Sequence, residues 1–337
     1  MRTLSLLISF AALALTPLPV PARQQPAAQQ PQPGQNPVAA TVAIPQSVAQ
    51  SARKTVAFVT VIYASGASLS AVIGTGFFVS VEDKRLGENL SFGYFVTNRH
   101  VAQPGIELGT PHDPAQVRLR LNLKIPEGGN DSIEQPVALG GSVHWYFPED
   151  SSVDLAVIPI APDVVRYDYL TIPTSAFATE DHIKSESIDV GDQVIFTGFF
   201  SSFPGQKRIE PIVRQGILAM MPDEPMQTTL HKPGRLYLAD AHAFHGNSGS
   251  PIFVSLGGAR RGSFFSGERY LLLGIISGYF PESAGYTVPA AAVLTAEVHD
   301  NSGIAAVVPA DELMKLLNCR ALQGLRDQEA ARISKKP

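Results

Sequence analysis

Two consecutive series of short runs rich in β-branched and aromatic residues constrain the fold more than anything else in this chain. "TVAFVTVIYASG", "AVIGTGFFVSV", "FGYFVTN", "VRLRLNL", "GSVHWYF" and "DLAVIPI" make the first series. "DQVIFTGFF", "IVRQGILAMM", "RLYLADA", "SPIFVSL", "RYLLLGIISGYF" and "GIAAVVP" make the second. Each run has the length and composition of a strand and ends in turn-forming residues. No helical period runs through the first series, and 28 glycines with 27 prolines suit a chain of many turns. The pattern predicts an all-β fold of two packed six-stranded antiparallel β-barrels, at about 55–170 and 185–308, with irregular chain over 168–188 between them. "GTGFFVS" (74–80) and "FTGFFSS" (196–202) echo one another early in each half. "PADELMKLLNCRALQGL" has helical spacing, with Leu313, Leu316, Leu317 and Ala321 on one side. It predicts a C-terminal α-helix over about 310–325, followed by a frayed charged tail over 326–337.

Ahead of the strands, Arg2, the apolar stretch from Leu4 to Leu15 and the small-residue pattern Val20-Pro21-Ala22 have the form of a secretory signal peptide over 1–22. The apolar run is short for a membrane span, which needs about 20 residues. The expectation is a periplasmic or extracellular protein with no stable membrane insertion after signal cleavage; an uncleaved anchor is the other outcome left open. Residues 23–44, rich in Gln and Pro, read as a disordered linker, and 45–54 as a short opening helix of a domain spanning 45–320. The only cysteine, Cys319, excludes an internal disulfide framework. A net charge of −4 without a basic run argues against nucleic acid as a partner.

The chemistry-bearing stretch is "HGNSGSPI" (245–252). Ser248 lies between two glycines that permit backbone angles other residues avoid, so successive N–H groups can turn toward one point and receive a negative oxygen. A plain Gly-Ser turn has the same composition. A serine hydroxyl is a weak nucleophile and needs a base, which in turn needs orienting. Among eight histidines, His100 stands out. It follows the apolar strand in "GYFVTNRHVAQ", on a rigid scaffold yet open to a cleft. Asp154 opens "DLAVIPI", where a carboxylate at the head of an apolar strand is set to be buried.

His100, Asp154 and Ser248 occur in that order, and "TNRHV", "DLAVI" and "GNSGSP" resemble the three motifs of chymotrypsin-fold, trypsin-like serine peptidases. The likeness is to the bacterial high-temperature-requirement type more than to digestive trypsins. "VGDQVIFTGF", "LLLGIISGY" and "GIAAVVPADELMKLL" extend it, so that it covers roughly residues 50–320. The resemblance implies a serine endopeptidase acting on a polypeptide substrate through an acyl-enzyme, without metal or organic cofactor. It implies that Ser248 attacks, His100 shuttles the proton and Asp154 orients the imidazole. It also implies that the N–H groups of Gly246 and Ser248 form the oxyanion hole, that Ile276, Ser277 and Gly278 pair with the substrate backbone as an added strand, and that His242 touches the substrate side chain.

The chain departs from the family pattern in two places. Trypsin-like enzymes carry an aspartate before the serine, which receives a new N-terminal ammonium; Asn247 cannot make that ion pair, so no zymogen cleavage is expected. The high-temperature-requirement type usually adds a PDZ domain, and the residues after Pro309 are too few for one. Oligomeric state is left open. His242 and His245 form an H-x-x-H pair, too few ligands for a metal. An α/β-hydrolase elbow is disfavoured, because it needs Ser, acid and His in that order and a second glycine where Ser250 stands. A catalytically silent, protease-like binding protein is the alternative from a different class.

Overall fold

Strands form where the sequence alternates or runs apolar, and the second half follows this most closely. The computed structural model describes residues 48–87, 90–260, 263–265, 269–287 and 295–334. The expected signal peptide (1–22) and linker (23–44) lie outside them. Helix α1 (Val48–Thr55) leads into β1 (Val56–Ser65), β2 (Ser68–Glu82) and β3 (Ser91–Thr97), then helix α2 (Arg99–Ala102). β4 (Pro114–Glu127), β5 (Asn130–Val137), β6 (Ala156–Ile158) and β7 (Ile172–Pro173) complete the first half. Helix α3 (Glu180–Glu186) precedes β8 (Gln193–Gly198), β9 (Ile212–Met220), β10 (Met226–Gln227), β11 (Pro233–Gly234), β12 (Tyr237–Asp240) and β13 (Pro251–Ser255). The short strands β14 (Gly258–Arg260) and β15 (Ser263–Phe265) pair with each other, and β16 (Tyr270–Thr287) and β17 (Thr295–Pro309) follow.

The second half is a closed six-stranded barrel in the order β12-β17-β16-β13-β8-β9, and each expected run of that half supplies one strand. The first half differs from expectation. Its hydrogen bonds trace an open path, β5-β4-β1-β2-β3-β6, with β7 added in parallel to β2. Among the described residues β5 and β6 are not bonded to each other. The side of β6 away from β3 is taken instead by the bridge between Val157 and Tyr146, and Pro136 near the end of β5 has no N–H to give, as suits an edge strand. The seam opens on an apolar cavity of about 440 Å³ lined in part by Leu119, Leu121, Val137, Ile160 and Tyr167.

Period-2 alternation sorts side chains between interiors. On β3, Phe95 faces the first-half core while Tyr94 and Val96 face a cluster shared with the second half. On β16, Leu271 and Leu273 fill the closed barrel while Leu272 and Ile275 join the shared cluster. Three local expectations need correction. "GSVHWYF" makes only isolated bridges, Gly140–Val143 and Tyr146–Val157, and the strand of that region is β5, whose polar "NDSIEQPV" gave little signal. Residues 168–188 are not wholly irregular, since α3 begins with Glu180 and Asp181 at its positive end.

The C-terminal segment is two helices, α4 (Ala310–Leu317) and α5 (Arg320–Ser334), rather than one helix over 310–325 with a tail from 326. Cys319 sits at the break as a free thiol. Buried Arg326 donates from Nη1 to the Leu317 carbonyl at 2.7 Å and the Tyr94 hydroxyl at 3.0 Å, capping α4 and holding α5 down. Among the described residues no helix is long and apolar enough to cross a membrane.

Candidate active site

β3 ends at Thr97, and Asn98 opens the single turn α2 that carries His100. The first N–H groups of a helix have no intrahelical acceptor. Here the His100 N–H donates to Asp154 Oδ1 at 3.0 Å, and the imidazole Nδ1 lies 2.7 Å from Asp154 Oδ2. Asn98 Nδ2 donates to the Asp154 backbone carbonyl at 2.8 Å, tying the two strand ends together.

Asp154 is 1% exposed. A charge buried that deeply needs partners. Besides the two groups of His100, the Ser277 hydroxyl donates to Oδ2 at 2.7 Å, and Thr229 Oγ1 reaches the same oxygen at 3.0 Å. Burial pushes the Asp154 carboxyl up, but the opposite charge of His100 and the bonds from His100 and Ser277 hold it below the usual carboxylate value. Burial likewise pushes His100 down, while the charge and hydrogen bond of Asp154, with a smaller pull from Glu107, bring it above the usual imidazole value. A carboxylate only accepts, so the Nδ1 proton is fixed and the lone pair sits on Nε2.

Ser248 lies in the loop between β12 and β13. Gly246 and Gly249 have φ of +89° and +86°. A Cβ at Gly249 would fall 1.9 Å from the Thr75 carbonyl oxygen, and one at Gly246 would fall 2.4 Å from the Phe199 ring. The loop is fastened to both halves of the chain. The Thr75 N–H donates to the Ser248 carbonyl at 3.0 Å, and the Thr75 hydroxyl donates to the Gly246 carbonyl at 2.7 Å. That hydroxyl also accepts from the Phe199 N–H at 2.8 Å. Asn247 is 1% exposed and engaged at both ends of its amide: Nδ2 donates to the Phe199 carbonyl at 2.7 Å and Oδ1 accepts from the Phe244 N–H at 2.9 Å. With the loop held this way, the N–H groups of Gly246 and Ser248 have no acceptor among the described residues.

The serine loop and α2 meet across Gly74, where an added Cβ would lie 3.2 Å from the Val101 methyls and 3.3 Å from the Ser248 carbonyl oxygen. The Ser248 hydroxyl makes no hydrogen bond to His100 among the described residues.

The other expected residues separate in role. Ile276 gives its N–H to the Ser250 carbonyl at 2.9 Å and accepts at its carbonyl from the Gly249 N–H at 2.8 Å. Its backbone is therefore engaged by the serine loop, at the head of the 276–278 segment expected to pair with substrate. Ser277 sits at a bulge between Ile276 and Gly278, and its side chain serves Asp154. Gly278 pairs with Ala306 past the bulge. His242 has φ of +44° and an imidazole 63% exposed, 3.9 Å from Asp240. His245 turns instead to the Tyr279 hydroxyl at 3.3 Å. The H-x-x-H pair thus diverges, and among the described residues no cluster of three or more His, Cys, Asp or Glu could hold a metal. Thr75, Phe199 and Thr229 were not foreseen as site residues. Neither Thr75, within "GTGFF", nor Thr229, in the polar "QTTLHKPG", carries a local signal for the bond its hydroxyl makes.

The sequence family described as "Trypsin-like peptidase domain" matches residues 74–259. No curated protein matches the sequence. Among solved structures, Deg5 is similar at 16% identity over 79% of this chain and 88% of that one, with a TM-score of 0.42. The Rv3671c protease from M. tuberculosis, in its active form, is similar at 16% over 79% of this chain and 80% of that one, with a TM-score of 0.42. The HtrA-type protease AlgW with decapeptide is similar at 16% over 82% of this chain and 66% of that one, with a TM-score of 0.43. The family match runs from Gly74 in β2 through α2, the head of β6 and the serine loop to β14, more than half of the sequence, and the chain belongs to the trypsin-like peptidase family.

Proposed function

We propose that this chain is an exported serine endopeptidase that hydrolyses peptide bonds through Ser248, His100 and Asp154 by way of an acyl-enzyme. The observation that carries the reading is the buried Asp154 carboxylate bonded to His100 at both its backbone N–H and its Nδ1. That bonding leaves Nε2 as the free base. Ser248 Oγ bonds to the peptide carbonyl carbon while its proton passes to Nε2, and Asp154 stabilises the imidazolium so formed. The carbonyl oxygen, now negative, is received by the N–H groups of Gly246 and Ser248. Collapse breaks the C–N bond as Nε2 returns the proton to the leaving amine. Water, giving a proton to Nε2, then bonds to the acyl carbon; the bond to Ser248 Oγ breaks as Nε2 passes that proton to Oγ, releasing the acid and restoring the site.

Asn247 supports a site that forms without a newly cut N-terminus, because neutral bonds to Phe199 and Phe244 hold the loop. Export rests on the signal-peptide pattern of the first residues. In the same reading, the open strand path of the first half is the counterpart of the closed barrel.

The missing bond between Ser248 and His100 favours the second reading, a protease-like binding module. In working enzymes that bond often tightens only when substrate is present. A fluorophosphonate probe separates the two. Labelling of the wild type but not of Ser248→Ala, with equal thermal melts, means enzyme; an unlabelled wild type means binding module.

A further inference from the structure

Thr229 lies in the turn between β10 and β11, which the chemistry above does not use. Yet its hydroxyl is 2.6 Å from Ser277 Oγ and 3.0 Å from Asp154 Oδ2, while Ser277 Oγ is 2.7 Å from that same carboxylate oxygen. Three short contacts join three oxygens, but two hydroxyls carry only two protons. One contact must lack a proton at any moment. The two shortest define a chain in which Thr229 donates to Ser277 and Ser277 donates to Asp154. Donation in series polarises the final bond. The longest contact gives Thr229 a second option, direct donation to Oδ2.

We propose that Thr229 is a positioning residue for the catalytic pair: the outer hydroxyl of a two-donor relay that spreads the charge of Asp154 and so sets the basicity of His100. The proposal rests on the peptidase reading for its catalytic meaning, although the relay itself does not. The charged groups facing the pair are His100 and Asp154 themselves and Glu107, on the turn after α2. The loop carrying Thr229 and the bulge carrying Ser277 present neutral hydroxyls to it.

The sign follows from the charge. With a donor gone, the negative charge on Oδ2 is less dispersed and pulls harder on the imidazolium, so His100 holds its proton to higher pH. Thr229→Val has the same shape without the hydroxyl, and Thr229 is only partly buried, which favours a folded variant.

The test follows the His100 imidazole proton shift against pH by NMR, with the pH dependence of fluorophosphonate labelling measured beside it. Thr229→Val should move the inflection up by roughly half to one pH unit, and Thr229→Ser should restore it. Ser277→Ala alone should move it less than the change of donor count suggests, because the Thr229 proton turns to Oδ2. The double variant should then exceed the sum of the two single shifts. An unmoved inflection in Thr229→Val, or strictly additive shifts, overturns the proposal, even where rates change. A wild type that titrates as expected but is never labelled keeps the relay and overturns the peptidase reading instead.

Discussion

Replacing Thr75 by valine removes one hydroxyl and nothing of the side chain's shape. In the structure that hydroxyl accepts from the Phe199 N–H and donates to the Gly246 carbonyl, at a residue with no exposed surface. Both backbone groups, at partly buried residues, would lose that partner. A buried polar group without a partner costs roughly 1–3 kcal/mol, and two partly buried groups take the lower half of that range, so Thr75→Val should lose about 2–4 kcal/mol, a large share of the roughly 5–15 kcal/mol that holds a typical domain. The bond from the Thr75 N–H to the Ser248 carbonyl survives, so the loop stays attached but less firmly oriented. Small misplacement of oxyanion donors is expensive, and the fluorophosphonate labelling rate should fall about 10- to 100-fold. Urea unfolding measures the first effect as a lower midpoint at constant slope. Thr75→Ser keeps the hydroxyl and should cost about 1 kcal/mol for the lost methyl, with labelling within a few-fold of wild type. A Thr75→Val midpoint equivalent to less than about 0.5 kcal/mol of loss would refute the reasoning. So would a serine variant as impaired as the valine.

Asn247→Asp puts a carboxyl where Nδ2 now donates to the Phe199 carbonyl, so the folded state favours the protonated acid and its pKa rises. A raised folded pKa confers stability below the unfolded value of about 3.9 that is lost as pH rises through the folded value. Thermal melts should therefore place the variant nearer wild type under acidic than under alkaline conditions, and a pH-independent deficit would contradict this. Arg326→Met deletes the buried bonds to Tyr94 and Leu317 and should cost about 2–4 kcal/mol in denaturant unfolding; near-wild-type stability would mean that α5 is not held through this residue.

The strands of the closed barrel were legible because each is a short apolar or alternating run with turn residues at both ends, as in "SPIFVSL". β5 was not, because an edge strand needs only one apolar face and "NDSIEQPV" offers just Ile133 and Val137. The helix break at Cys319 was hidden for a different reason: helical spacing continues across it, and the residue that seals the break, Arg326, acts through a hydroxyl far away in sequence. His100, Asp154 and Ser248 could be picked out because each stands at the end of an apolar run beside small or polar residues. The parts that fasten them could not. Thr75 and Thr229 act through single hydroxyls across long sequence separations, and no local pattern records such a bond.

The Thr75 clamp also bears on timing. The bond between its hydroxyl and Gly246 joins residues 171 apart in sequence, and contacts of that separation close late, after the loop entropy between them has been overcome. Until the two halves have come together, the serine loop lacks the bonds that hold it in place. On the proposed peptidase reading, a copy whose halves have not met would carry all three side chains and still lack the clamp that sets the serine loop, so that cutting ability would arrive only with the assembled fold.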